Sequence, residues 1–178
     1  PRLSTALPPR RERAPRRLID IEPVSATIRP RNTRYVQRTP TEVPALTAVA
    51  IIPARYGSTR FPGKPLANRT GKYLIQHVYE RVRQARTLER VIVATDDERI
   101  AEAVRSFRGD VVMTRPDHPT GSDRIAEVAE GLRTDLVLNV QGDEPEIDPA
   151  SIDLLVNLMR SRPEASVGTL ACPFPPES

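Results

Sequence analysis

The chain has 178 residues and a formal net charge of +4, a length that suits one domain. No stretch is long and apolar enough to span a bilayer, and we expect no secretory signal peptide because the N-terminus lacks an apolar core region. The single cysteine, Cys172, excludes a disulfide bond within the chain and is typical of a small buried strand residue.

The positive charge is concentrated in residues 1–45, which hold ten arginines and four acids, whereas residues 46–178 carry a net charge of −2. The first segment also has eight prolines, no glycine and almost no hydrophobic periodicity, so it is predicted to be a disordered Arg/Pro-rich leader. A passive tail is the favoured role, beside an arm for anionic partners or an organelle-targeting leader. Because the rest of the chain is nearly neutral, nucleic-acid binding is not expected of it.

From Thr47 onwards, apolar runs with little alternation indicate strands that are covered on both faces. These strands are predicted over residues 47–53, 90–95, 110–114, 135–140 and 166–171. Helical patterns between and after them have inward positions at Ile75, Val78, Val82 and Ala85; at Ile100, Ala103, Val104 and Phe107; at Ile125, Val128, Ala129 and Leu132; and at Ile152, Leu155, Val156 and Met159. The alternation predicts an α/β fold, with a mostly parallel sheet and helices on both faces. Polar residues that follow the strands should then meet at the carboxyl edge of the sheet.

The loop after the first strand, residues 53–66, combines two glycines and three prolines with the cationic side chains of Arg55, Arg60 and Lys64. Glycine lets backbone amides approach an anion, proline stiffens the loop, and the three cations add positive charge. This combination predicts a polyphosphate site. The spacing is neither that of a Walker A motif, which needs Ser or Thr at Pro65, nor that of a dinucleotide fingerprint. A surface turn with solvated arginines is the alternative.

Two acids, Asp96 and Asp97, follow the second strand, and capping of the next helix is favoured for them over a catalytic role. After the third strand, Ser122 is predicted to cap a helix, and Ser122 and Arg124 are either nucleotide-binding residues or polar residues of the helix start. His118 has no second ligand at metal-binding spacing, so a structural or solvated role is favoured over that of a base or ligand.

The fourth strand ends in Gln141-Gly142-Asp143-Glu144-Pro145. Mg²⁺ prefers carboxylate oxygens together with substrate phosphates and water, so Asp143 is the candidate metal ligand. Glu144 would orient water or lie next to the metal ligand Asp143 without binding the metal itself. An acidic turn is the alternative, and it loses support if Asp143 lies in the same crevice as Arg60 and Lys64.

Four segments, in order, resemble motifs of the cytidylyltransferases that act on 3-deoxy-manno-octulosonate (Kdo), the CMP-Kdo synthetase family. They are residues 52–66, 94–97, 114–124 and 139–145, and residues 169–173 also fit. The resemblance spans roughly residues 48–175, and it implies a Rossmann-like nucleotidyltransferase fold in which residues 46–178 form the N-terminal, CTP-binding part. It also implies transfer of CMP from CTP to the anomeric hydroxyl of Kdo, with Mg²⁺ and release of pyrophosphate, for lipopolysaccharide synthesis in the cytoplasm.

The resemblance further implies a role for each matching residue. The CTP-binding set is Arg55, Gly57, Ser58, Arg60, Lys64, Ser122 and Arg124, the last two near the cytidine. The catalytic set is Arg60, Lys64 and Asp143, of which Asp143 binds Mg²⁺, and Gln141 faces the sugar acid. These roles agree with an in-line displacement, in which cations neutralise the phosphates and no covalent nucleophile is needed.

Chains of this family continue well beyond Pro175, into segments that supply another acidic metal ligand, much of the Kdo pocket and a dimer contact. We therefore expect the full-length form to be a homodimer, and the present chain to bind CTP weakly and to turn over poorly or not at all. Three alternatives stay open: a cytidylyltransferase for another sugar acid such as sialic acid, a truncated nucleotide-binding or oligomerisation module, and an anion- or RNA-binding protein that uses the leader.

Overall fold

The computed structural model describes residues 46–57 and 61–171, all within the compact unit formed by residues 40–178. The predicted leader, residues 1–45, lies outside the described residues, and so do residues 58–60 and 172–178. Among the residues that are described, no helix has the length and apolar character needed to cross a membrane.

Four parallel strands form one sheet in the order β3-β2-β1-β4. They are β1 (Ala48–Ala54), β2 (Arg90–Thr95), β3 (Asp110–Met113) and β4 (Leu136–Asn139). The two neighbours of β1 cover both its edges, and its residues are almost all buried. Because all the strands are parallel, their carboxyl ends lie at one edge, and Ala54 there pairs with Thr95. The predicted α/β class with a parallel sheet is confirmed.

Helices cover both faces of this sheet. They are α1 (Leu74–Val82), α2 (Glu98–Ser106), α3 (Gly121–Glu130) and α4 (Pro149–Ser161), with a short 3₁₀ helix at Lys64–Leu66. Buried residues of α1, α2 and α4 pack with Ala50 and Ile52 of β1, whereas α3 packs on the opposite face against Val49 and Ile51. This division follows from right-handed crossovers, since α3 connects β3 at one edge back to β4 at the other.

The predicted fifth strand at residues 166–171 is wrong. This segment pairs with no strand among residues 46–57 and 61–171, and Val167 and Leu170 are 85% and 45% exposed. It lies against α4 at Gly168, where an added Cβ would be 2.7 Å from the Met159 sulfur. An apolar run forms a strand only where a neighbouring strand can accept its hydrogen bonds, and the run itself does not encode that partner.

The start of α3 also differs from the expectation, because Thr120 rather than Ser122 is the N-cap. The Thr120 side chain accepts a hydrogen bond from the Asp123 amide, and the Asp123 carboxylate accepts one from the Thr120 amide. This reciprocal capping box satisfies two amides that one serine at position 122 would leave unpaired. Ser122 is an exposed residue of the first turn.

Candidate functional site

The loop after β1 folds back on itself through Tyr56 and Gly63. The Gly63 amide donates to the Tyr56 carbonyl oxygen at 2.8 Å. Gly63 has φ of 71°, and an added Cβ would lie 3.0 Å from the Tyr56 ring, so both the backbone conformation and the space favour glycine here. The 3₁₀ helix follows directly, with Pro65 buried in it, and this turn presents Lys64 at the carboxyl edge of the sheet.

Arg99 attaches this loop to the beginning of α2. Its guanidinium lies 3.3 Å from the centroid of the Tyr56 ring, and it also donates from Nε and Nη2 to the two carboxylate oxygens of Asp97 at 2.9 and 2.6 Å. Asp97 caps α2 by accepting from the Arg99 amide, which confirms the favoured capping role for Asp97. Asp96 does not cap this helix and instead pairs with Arg124. The hydrogen bond from the Arg99 side chain lowers the pKa of Asp97. Sequence reasoning missed the Tyr56–Arg99 contact, because nothing in the spacing of the two residues indicates it.

Lys64 and Asp143 form the central feature of the candidate site. The Lys64 Nζ donates to Asp143 Oδ2 at 2.6 Å, and the two side chains are 40% and 50% exposed. Gly142, the residue before Asp143, packs closely against the end of β1, since a Cβ added at Gly142 would lie 3.2 Å from the Pro53 carbonyl oxygen. This close packing lets Asp143 approach the end of β1. The expected approach of Lys64 to this carboxylate is therefore observed, whereas Arg60 lies outside the described residues.

Arg55 links the loop after β1 to the loop after β3. Its Nη2 donates to the His118 carbonyl oxygen at 2.5 Å, and its Nη1 donates to that of Pro119 at 3.5 Å. Gly121, at the start of α3, allows the two segments to come together, since an added Cβ would lie 3.3 Å from the Pro53 ring. Arg55 is thus half-buried at the same edge as the Lys64–Asp143 pair, and it is held by backbone carbonyls.

His118 is buried and hydrogen-bonded to Glu127, so it has the structural role favoured for it. This hydrogen bond lowers the pKa of Glu127, which also accepts from the Arg115 amide at 3.1 Å. An open cleft of about 520 Å³ lies beside this pair, lined by Arg115, His118, Pro119, Asp123, Ala126, Glu127 and Glu130. Among the described residues its lining includes neither Lys64 nor Asp143, but it does include His118 and Pro119, whose carbonyl oxygens hold Arg55.

Arg124 is fully buried, at 0% exposure. Its Nη2 lies 2.9 Å from Asp96 Oδ2, and its Nη1 donates to the Thr114 hydroxyl. Its position on α3 was a sequence signal of burial, because it precedes Val128 by one helical turn on the inward stripe. In this structure the guanidinium contacts protein groups.

The remaining candidates are exposed or outside the described residues. Gln141 is exposed at the end of β4, where its side-chain amide donates to Asn139 Oδ1 at 3.0 Å. Gly57 is exposed, and no atom of the described residues lies within 4 Å of the place where its Cβ would be. Ser58 and Arg60 lie in the segment that the structure does not describe.

The Asp143 carboxylate, at the carboxyl edge of the sheet, suits a metal ion that is also bound by phosphate oxygens of a substrate. Over residues 46–57 and 61–171, no three His, Cys, Asp or Glu side chains come together to hold a metal ion. Mg²⁺ does not need such a cluster, since it binds through one or two carboxylates together with phosphate oxygens and water. The half-exposed Asp143 carboxylate beside a cationic loop has this chemistry.

Comparison with known proteins gives a family model and relatives that are all described as cytidylyltransferases. A family model described as cytidylyltransferase matches residues 49–176. The chain is 57% identical over 122 residues to the 3-deoxy-manno-octulosonate cytidylyltransferase of Trichlorobacter lovleyi, covering 68% of this chain and 48% of that protein. It is 54% identical over 129 residues to an 8-amino-3,8-dideoxy-manno-octulosonate cytidylyltransferase of Shewanella putrefaciens, covering 70% and 53%.

Solved structures agree with these relatives. A CMP:2-keto-3-deoxy-manno-octonic acid synthetase complexed with CTP superposes with a TM-score of 0.64 at 50% identity, over 66% of this chain and 48% of that one. A cytidylyltransferase of Leptospira borgpetersenii gives a TM-score of 0.57 at 26% identity, over 64% and 48%. These neighbours confirm the nucleotidyltransferase fold, and the chain spans about half the length of the relatives that it matches. With a family match over most of its length, the chain belongs to the cytidylyltransferase family.

Proposed function

We propose that this chain provides the CTP-binding half of an enzyme that transfers CMP from CTP to Kdo and releases pyrophosphate. The observation that carries the proposal is the 2.6 Å contact between Lys64 and Asp143, because it brings together a cation suited to bind phosphate and a carboxylate suited to bind a metal ion. Support also comes from the relatives that share more than half of its matched residues and are named for this reaction.

The proposed chemistry is an in-line displacement at the α-phosphorus of CTP. The anomeric hydroxyl oxygen of the sugar acid forms the new bond to the α-phosphorus and loses its proton to water. The bond from this phosphorus to the oxygen that bridges it to the β-phosphorus breaks, and pyrophosphate leaves. Lys64 and Arg60 would neutralise the charge that develops on the phosphates, while Arg55, Gly57 and Ser58 would hold the triphosphate. A divalent cation at Asp143, which we propose to be Mg²⁺, would polarise the phosphates and acidify the attacking hydroxyl.

The ion pair between Lys64 and Asp143 suits this role because it is weak and easily exchanged. Both side chains are about half exposed, and an ion pair of this kind contributes only about 0–1 kcal/mol. A triphosphate would offer Lys64 several anionic oxygens in place of one carboxylate. Asp143 would then be released to bind the cation that accompanies the nucleotide.

The other proposed contacts differ in how the structure supports them. Gln141 is exposed two residues before Asp143, a position suited to the sugar acid. Ser122 is exposed on the first turn of α3 and could reach a cytidine, whereas a direct contact from Arg124 would require its buried side chain to turn outward. A cytoplasmic location and a homodimeric full-length form belong to the same proposal.

The identity of the sugar acid remains a choice between close analogues. Relatives named for Kdo and for its 8-amino derivative are 57% and 54% identical to this chain. We favour Kdo, since more of the similar relatives carry that name. A sialic acid substrate remains the alternative predicted from the sequence.

The test compares this chain with a chimera in which residues 46–171 are joined to the remaining part of the Trichlorobacter lovleyi protein. Calorimetric titration with CTP and Mg²⁺ measures binding, and pyrophosphate release with Kdo or its 8-amino analogue measures transfer. We expect both proteins to bind CTP and the chimera to release pyrophosphate much faster. Equal rates would contradict the assignment of this chain as a half-site, and no CTP binding by either protein would contradict the function.

A further inference from the structure

A buried charge lies directly behind the candidate nucleotide site. Among residues 46–57 and 61–171, Arg124 is the one Lys, Arg, Asp or Glu residue that is buried, and its exposure is 0%. Removing a guanidinium from water costs free energy unless a partner of opposite charge compensates it. The partner here is Asp96, whose Oδ2 lies 2.9 Å from Arg124 Nη2.

The compensation is incomplete, so the arrangement depends strongly on Asp96. The Nη1 of Arg124 donates to the Thr114 hydroxyl, but Nε and Nη2 make no hydrogen bond of good geometry. The short Nη2 distance to Asp96 therefore provides charge neutralisation more than directional bonding. Without Asp96, a buried cation would be left with one neutral hydroxyl as its partner.

These three residues join three segments at the carboxyl edge of the sheet. Asp96 follows β2, Thr114 follows β3, and Arg124 lies in the first turn of α3. The Thr114 amide also donates to the Thr95 carbonyl oxygen at 2.9 Å, which fixes the start of the loop after β3 to the end of β2. Both ends of the loop formed by residues 115–120 are thus attached to the same buried cluster.

That loop carries the carbonyl groups that hold Arg55. The His118 and Pro119 carbonyl oxygens accept from the Arg55 guanidinium, and they lie between Thr114 and Arg124 in the chain. A shift of the loop would therefore move the acceptors of Arg55. The buried cluster thus attaches both ends of the loop that holds Arg55, and among the described residues no hydrogen bond joins the cluster to the Arg55 side chain itself.

We propose that Asp96 and Arg124 are positioning residues of the triphosphate site, acting through the 115–120 loop to orient Arg55. This inference rests on the proposed CTP-binding function and assigns Arg124 a role behind the site rather than in contact with the cytidine. The two arginines then have different roles, since Arg55 meets the phosphates and Arg124 fixes the loop that holds Arg55.

Inorganic tripolyphosphate distinguishes this role from a contact with the base. Affinities of CTP and of tripolyphosphate, both with Mg²⁺, are measured by calorimetry for the unmodified chain and for Asp96→Asn. We expect both affinities to fall by the same factor, about 3- to 30-fold. If only CTP binding falls, Arg124 or Asp96 reads the cytidine and the positioning role is overturned.

A double-mutant cycle tests the route through Arg55. With Arg55→Ala already present, Asp96→Asn should have little further effect on tripolyphosphate affinity, because the group that it positions is gone. Independent, multiplicative losses would overturn the inference. Arg124→Lys serves as a second variant that keeps the charge but lacks the planar fork, and it should give a smaller loss of the same kind.

Asp153→Asn is the matched control for general destabilisation. Asp153 is a partly buried carboxylate that accepts from the Thr87 amide and hydroxyl, and its loss should lower stability without changing either affinity. All titrations are made at a temperature at which circular dichroism shows each variant folded. If Asp96→Asn binds CTP and tripolyphosphate as tightly as the unmodified chain, this inference alone is overturned. If the unmodified chain binds neither CTP nor tripolyphosphate, the proposed function is overturned, and the inference with it.

Discussion

Replacing Lys64 by alanine should separate ligand binding from folding. The Lys64–Asp143 pair is exposed at 40% and 50%, so its loss should lower the free energy of unfolding by no more than about 1 kcal/mol. A charge-assisted contact to phosphate contributes about 1.5–3 kcal/mol, so CTP affinity should fall about 10- to 150-fold. Calorimetric titration with CTP and Mg²⁺ gives the affinity, and urea unfolding gives the stability.

Arg90→Ala is the matched control for this prediction. Arg90 pairs with Asp110 at 3.2 Å with similar exposures of 48% and 52%, but the two residues begin β2 and β3 at the opposite edge of the sheet. Its loss should change stability by a similar amount and leave CTP affinity unchanged. The reasoning is refuted if Lys64→Ala binds CTP as tightly as the unmodified chain, or if the two variants lose affinity equally.

Three further changes test other parts of the structure. Asp143→Asn should abolish the Mg²⁺ dependence of CTP binding while circular dichroism stays native, and a persistent dependence would place the metal elsewhere. Gly63→Ala should lower the free energy of urea unfolding by about 1–2 kcal/mol, because φ is 71° at this position. Gly57→Ala should lower it much less, because no atom of the described residues lies within 4 Å of the place of its Cβ. Equal losses of stability would count against the loop geometry. The hydrogen bond to His118 lowers the pKa of Glu127. Its contribution to the free energy of unfolding is therefore fully present above the ordinary pKa of about 4.3, and it is lost as the pH falls from there through the lowered pKa. The thermal midpoint should therefore drop in acid, and Glu127→Gln should flatten that drop; an identical pH profile for the two proteins would speak against the shift.

The parts of the fold that sequence alone predicted are those controlled by local pattern and by topology. Apolar runs such as residues 48–52 predict strands because both faces of β1 are covered. The start of α4 is determined just as locally, since the Asp148 carboxylate accepts from the Ala150 amide at 3.1 Å and Pro149 is the first helical residue. The meeting of Lys64 and Asp143 followed from parallel topology, which brings loops after neighbouring strands to one edge.

The features that the sequence did not predict depend on competition or on distant partners. Ser122 and Thr120 are both good N-caps, and Thr120 prevails because Asp123, three residues later, completes the capping box. Residues 166–171 have a strand-like composition, but their state is decided by whether a strand partner is available. The contact of Arg99 with Tyr56 joins the first turn of α2 to the loop after β1, and the separation of the two residues in the chain carries no periodic signal.

The contact between Lys64 and Asp143 predicts that removing Lys64 has opposite effects on two ligands: nucleotide binding should weaken, and metal binding should strengthen. Lys64 Nζ lies 2.6 Å from Asp143 Oδ2 and places a positive charge where a cation would have to bind. Lys64→Ala removes both the competitor and the repulsion, so Mn²⁺ alone, used as a paramagnetic probe, should bind more tightly to the variant. By linkage, CTP should strengthen Mn²⁺ binding in the unmodified chain, because it draws Lys64 away, and should do so less in the variant. Electron paramagnetic resonance measures free Mn²⁺ directly, and weaker Mn²⁺ binding by Lys64→Ala in the absence of CTP would show that the lysine does not compete with the metal for this carboxylate.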